Sequence, residues 1–110
     1  AAGFRHDGSL LYREELKNLT PDIINHRGKG GYFFEHRLKD VRELCAVITE
    51  KFQTITYFGL DPVKLREELI AANVRGIDRI VPAGKAMDID VVWDGHDLVR
   101  ELSRIVSVKY

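Results

Sequence analysis

A single cysteine, Cys45, rules out an internal disulfide framework. Small secreted domains lean on such frameworks, so a reducing, cytoplasmic compartment is the expectation. Neither sign of charge is in excess: Lys plus Arg is 17 and Asp plus Glu is 17. Affinity for nucleic acid comes largely from neutralising phosphates, so a chain without a basic surplus is not expected to bind it. No apolar run reaches the roughly 20 residues that a membrane-spanning helix needs. The opening stretch AAGFRHDGS contains no apolar signal region. It begins at Ala1 and not at Met, as expected of a processed chain or a fragment.

What remains is a neutral chain of 110 residues, the length of one ordinary domain. A chain of this size can bury roughly 65% of its unfolded surface, enough for one core. Residues 1–9 read as loop, 10–16 as a short strand, 17–31 as mostly irregular, and the aromatic run 32–38 as a strand. Asp40 and Glu43, three apart, open a helix whose apolar stripe runs Val41, Leu44, Cys45, Ile48, Phe52. The β-branched and aromatic run 53–58 predicts a buried strand. Asp61-Pro62 starts a second helix, with Leu60 and Leu65 placed to staple its entry and Leu65, Leu69 and Ile70 on its buried face. Strands are expected at 79–82 and 89–93, then a third helical stripe of Leu98, Val99, Leu102, Ile105 and Val106, then a terminal strand at 107–110. Strands and helices alternate, which predicts an α/β fold: three layers, a mixed and partly parallel sheet flanked by helices.

Each candidate for chemistry competes with a plainer role. Cys45 is a potential nucleophile, but it lies on an apolar stripe, where free cysteine acts as a small hydrophobe. Gly28, Lys29, Gly30 and Gly31 could cradle a phosphate through backbone N–H groups; Gly28 and Gly30 are the weak candidates for contact with a cofactor. The run lacks the phosphate-loop spacing and reads better as a turn. Asp88, Asp90, Asp94, His96 and Asp97 form an acidic cluster. Its spacing does not match the calcium-loop pattern, and Asp94 and Asp97 can instead cap the helix that follows, so no metal is expected. His6, His26, His36 and His96 are scattered, without the spacing of zinc ligands. Trp93, Asp94 and His96 are the candidates for lining a substrate cleft, because strand ends and the turns after them line sites in α/β folds. Arg79 and Arg104 read as structural ion-pair partners. No catalytic residue is assigned within the chain.

Three stretches together resemble one family. They are Gly31 to Phe34 with the helix opened by Asp40, QTITYFG at 53–59, and GIDRIVPAGKAMDIDVVWDGHDLVRELSRIV at 76–106. They are similar to the C-terminal part of the catalytic domain of LuxC-type acyl-CoA reductases, in the aldehyde dehydrogenase superfamily. The resemblance implies attack of a catalytic cysteine on an acyl-CoA or acyl-protein thioester, then reduction of the acyl-enzyme by NADPH to the fatty aldehyde. It also implies that the nucleophile and the dinucleotide-binding domain lie upstream, so that this piece alone is inactive and binds no cofactor. Assembly into a homo-oligomer, or with partner subunits of a fatty-acid reductase complex, is implied too. The superfamily's Glu-Phe-Gly-Pro-like element has no counterpart, since residues 26–31 read HRGKGG. A second reading is a stand-alone, non-catalytic α/β binding or assembly module.

Overall fold

The best-packed part is a strand–helix–strand unit. Strand β4 (Thr54–Tyr57) pairs in parallel with β5 (Arg79–Pro82), and helix α2 (Pro62–Ala71) makes the crossover. These and the other elements come from a computed structural model, which describes residues 3–8, 10–26 and 30–110 and, within 3–8, leaves aside the side chains of Phe4, His6 and Asp7. The Asp61 carboxylate accepts the N–H groups of Val63 and Lys64, and Pro62 takes the first helical position, where its missing N–H is no loss. At the other end Asn73 turns left-handed at φ 52°; its N–H donates to Ile70 O and that of Val74 to Leu69 O. That double bond pattern satisfies the last carbonyls of the helix. Leu65 and Leu69, one turn apart, are 4% exposed and form the core with Ile48. Ile70, expected beside them, is 70% exposed.

Helix α1 (Val41–Cys45) packs against α2. Asp40 caps it by accepting from Arg42 N, while Glu43 reaches back to Lys39 N at 3.4 Å. The helix stops well short of Phe52. Val47, Ile48 and Thr49 are β-branched and lose rotamer freedom in a helix, and burying Val47 and Ile48 in a turn serves better.

A second sheet lies apart. Strand β1 (Gly3–Asp7) pairs antiparallel with β2 (Leu11–Glu15), which pairs in parallel with β3 (Tyr32–Glu35). The stretch 1–9 was expected to be loop. The missed signal is Asp7-Gly8, a turn dipeptide ahead of a strand, with Gly8 at φ 63°. Between the two strands paired in parallel the chain forms a short 3-10 helix (Pro21–Asn25).

Among the described residues three small sheets thus replace the single helix-flanked sheet that alternation suggested; the mixed α/β class and the partly parallel pairing stand. The reason is polarity. A sheet covered on both faces needs apolar residues on both. One face of β1–β3 carries Arg13, Glu15 and Glu35, and a helix laid over it would strip water from these charges. A compact chain of about 100 residues has a radius of gyration of about 13 Å. Here it is 18.0 Å, with extents of 69 × 31 × 27 Å, so one small core serves only part of the length.

The last elements are short. Strands β6 (Val92–Trp93) and β7 (His96–Asp97) form a hairpin, and α3 (Leu98–Glu101) is a single turn. The strand expected over 89–93 is curtailed where the Asp90 carboxylate takes Val91 N at 2.6 Å, a local bond that competes with a ladder. Residues 102–110 adopt neither the helical stripe nor the terminal strand. Leu102, Ile105 and Val106 are 85%, 94% and 91% exposed. Helices draw most of their stability from packing an apolar face, and among the described residues this one meets no partner. No helix among the described residues is long and apolar enough to cross a membrane.

Candidate functional site

The β6–β7 hairpin gathers the three residues that the sequence singled out. Asp94 has φ 50° and Gly95 φ 83°. Two consecutive left-handed residues make the two-residue turn whose twist suits a hairpin, and Asp-Gly is a favoured pair for it. Gly95 has a second role: a Cβ there would stand 3.1 Å from the Asp78 carboxylate, just ahead of β5. Trp93 and His96 face each other across the hairpin. Asp97, not Asp94, caps α3, accepting Arg100 N at 3.2 Å.

Arg79 ties this hairpin to the core. Its guanidinium lies 4.3 Å from the centre of the Trp93 ring. It donates to the carbonyl oxygens of Ala86 and Asp88, the second at 2.5 Å. One planar cation thus holds the loop 83–89 and stacks on the indole, a geometry that lysine cannot reproduce. The expectation of an ion pair at Arg79 is therefore corrected: its partners are carbonyls and a ring.

Beside the hairpin an open groove of ≈ 440 Å³ runs between α2 and β5, lined by Pro62, Val63, Ile70, Ile77, Ile80 and Arg79 among others. Trp93, Asp94 and His96 do not line it. Trp93 is spent on Arg79, Asp94 on the turn, and His96 is exposed with Nδ1 3.6 Å from Glu101. The sequence marks none of the residues that line it as a cleft residue: Pro62 reads as a helix start, Leu69 and Ile70 as its buried face, and Arg79 as an ion-pair partner.

Cys45 is half-buried against the core, and its thiol points at Glu68 O, 4.0 Å away. Burial pushes the thiol pKa up, and the nearby carboxylates of Glu68 and Asp40 push it further. A nucleophilic cysteine needs the opposite, an electropositive and open setting. The acidic cluster does not converge either. Lys85 lies 3.5 Å from Asp88, Asp90 and Asp97 accept backbone N–H groups, and Asp94 forms the hairpin turn. Among the described residues no group of three or more His, Cys, Asp or Glu could hold a metal.

Of the glycine run, Gly30 and Gly31 lie among the described residues. Gly28 lies outside the described residues. Gly30 turns left-handed at φ 59° in open space. Gly31 is required for a different reason: a Cβ would collide with the carbonyl of Leu10, beside the bond from Tyr12 N to Gly31 O. The loop leads into β3 and not into a helix N-terminus, so the described residues do not fit a pyrophosphate. Compared with known proteins, the chain matches no protein-family model, no curated protein and no solved structure.

Proposed function

We propose that this chain is a C-terminal part of the catalytic domain of an NADPH-dependent, LuxC-type acyl-CoA reductase, serving as scaffold beside the thioester cleft. The observation that carries the reading is the stretch 76–104, in which the residues of the resemblance hold demanding positions. Gly76 sits where the carbonyls of Thr49 and Phe52 leave no room for a Cβ. Arg79 bridges two carbonyls and a ring, Asp94-Gly95 makes the primed turn, and Asp97 caps a helix. Positions so tightly constrained by their surroundings support a reading based on this stretch better than exposed ones would.

In this reading the catalytic cysteine and the nicotinamide cofactor belong to other parts of the enzyme. Hydride from NADPH would reduce an acyl-cysteine formed from a fatty acyl thioester. The contribution of this chain is positional: Arg79 fixes the hairpin of Trp93, Asp94 and His96 relative to the β4–β5 unit. The solvent-facing Ile105, Val106 and Met87 agree with a piece that packs against further protein, whether the rest of the same enzyme or other subunits. Acyl-CoA-dependent oxidation of NADPH by the enzyme that carries this chain tests the reading; absence of turnover across short, medium and long acyl groups refutes it.

A further inference from the structure

The charged face of the β1–β3 sheet breaks a rule of strand pairing. Arg5 stands directly opposite Arg13 in the antiparallel register, and Glu15 directly beside Glu35 in the parallel one. Like charges in directly opposed positions are destabilising. Part of the conflict is relieved diagonally: Arg13 clasps Glu35 with two bonds, at 2.6 and 3.0 Å. Arg37, just beyond β3, approaches Glu15 at 3.6 Å. Arg5 is joined to no carboxylate by an ion pair among the described residues. The pKa of Glu35 is held down by Arg13 and further by Arg5 and Arg37, so three guanidiniums act on one carboxylate.

These residues line an open groove of ≈ 440 Å³ with Gly3 and His36. Gly3 adds no side chain to its wall. His36 is anchored at one end, its Nδ1 against Leu16 O at 2.8 Å. We propose that this groove binds a phosphate-bearing anion, with Arg5 and Arg37 as its ligands and the Arg13–Glu35 pair as the scaffold beneath them. Guanidinium forks match phosphate oxygens in pairs, and Arg37 is 92% exposed and able to turn from its long contact with Glu15. A bound anion would also remove the repulsion between Arg5 and Arg13. Local violations of this kind are expected where a site needs them. The groove lies in the sheet away from the Arg79 hairpin, so this proposal stands without the acyl-thioester reading.

Calorimetric titration of the chain at fixed ionic strength tests it, with inorganic pyrophosphate, adenosine diphosphate and adenosine as probes. The expected result is saturable binding of pyrophosphate and the diphosphate, one per chain, and none of adenosine. Arg5→Gln should weaken pyrophosphate at least tenfold, Arg5→Lys should weaken it less, and Arg104→Gln should leave it unchanged. Circular dichroism checks that each variant keeps its fold, and Arg37→Gln gives a second loss if Arg5→Gln does not fold. Tighter binding of the diphosphate than of pyrophosphate would identify the phosphate as part of a nucleotide, and equal binding would identify the phosphoryl group alone; both support the site. No saturable binding at millimolar probe, equal loss in Arg104→Gln, unchanged binding in folded variants at Arg5 and Arg37, or adenosine binding as well as its diphosphate would overturn it.

Discussion

Replacing Gly76 with alanine should cost more than replacing Gly59, which has a left-handed backbone and open space around it. Gly76 is not left-handed, and its restriction is entirely one of space. An added Cβ would stand 2.7 Å from Phe52 O, closer still to Thr49 O, and 3.1 Å from a methyl of Ile48. Both carbonyls are in use: Thr49 O accepts Phe52 N at 3.0 Å and Phe52 O accepts Ile77 N at 2.8 Å. Relief therefore requires the backbone to part at one or both bonds. Overpacking of this kind costs about 1–3 kcal/mol. Each weakened hydrogen bond adds about 0.5–1.5 kcal/mol. Against this, alanine stiffens the unfolded chain by about 0.4–1 kcal/mol. The net expectation for Gly76→Ala is a loss of about 2–4 kcal/mol. Gly59, at φ 72° with nothing within 4 Å, offers the comparison. Its alanine variant should lose only about 1–2 kcal/mol, the penalty of one left-handed residue. Urea unfolding followed by far-UV circular dichroism measures both. If Gly76→Ala lies within 0.5 kcal/mol of the parent chain, or costs less than Gly59→Ala, the close approach described here is wrong.

Three further expectations follow from the same geometry. Arg79→Lys keeps the charge but cannot span the carbonyls of Ala86 and Asp88 while stacking on Trp93; a loss of about 1–2 kcal/mol and red-shifted Trp93 emission are expected, and unchanged emission would contradict it. Cys45, its pKa raised by burial, should react with iodoacetamide more slowly than free cysteine at neutral pH. Because the thiol form is the one favoured in the fold, its contribution to stability is complete below the ordinary thiol pKa and is lost as pH rises through the raised one; equal reactivity with free cysteine would refute the buried setting. The Glu35 pKa is depressed by Arg13 first, so its contribution is complete above the ordinary carboxylate range and is lost as pH falls through the folded-state value. Glu35→Gln should flatten the acid side of the stability–pH curve, and an unaltered acid limb would show that the Arg13 clasp does not persist in solution.

Local punctuation was the most legible part of the sequence. Asp61-Pro62 opened a helix and Asp40 and Asp97 each capped one, because a cap depends on chemistry within a few residues. Elements that depend on distant partners were misjudged. The stripe from Leu98 to Val106 has helical spacing but little to pack on, so only one turn forms. The Asp40 helix was drawn through Val47, Ile48 and Thr49, where β-branching and burial favour a turn. At the site, spacing brought Trp93, Asp94 and His96 together but could not show that Arg79 occupies the indole face. The Arg5–Arg13 juxtaposition was invisible while residues 1–9 read as loop, since register sets it.

The most direct test of the proposed function is a steady-state assay of the protein carrying this chain, following NADPH absorbance with a series of fatty acyl-CoA substrates. The account predicts acyl-CoA-dependent oxidation of NADPH with release of the aldehyde, reduced by Arg79→Ala through displacement of the Trp93 hairpin. No oxidation with any acyl-CoA, the catalytic cysteine being intact, would contradict it.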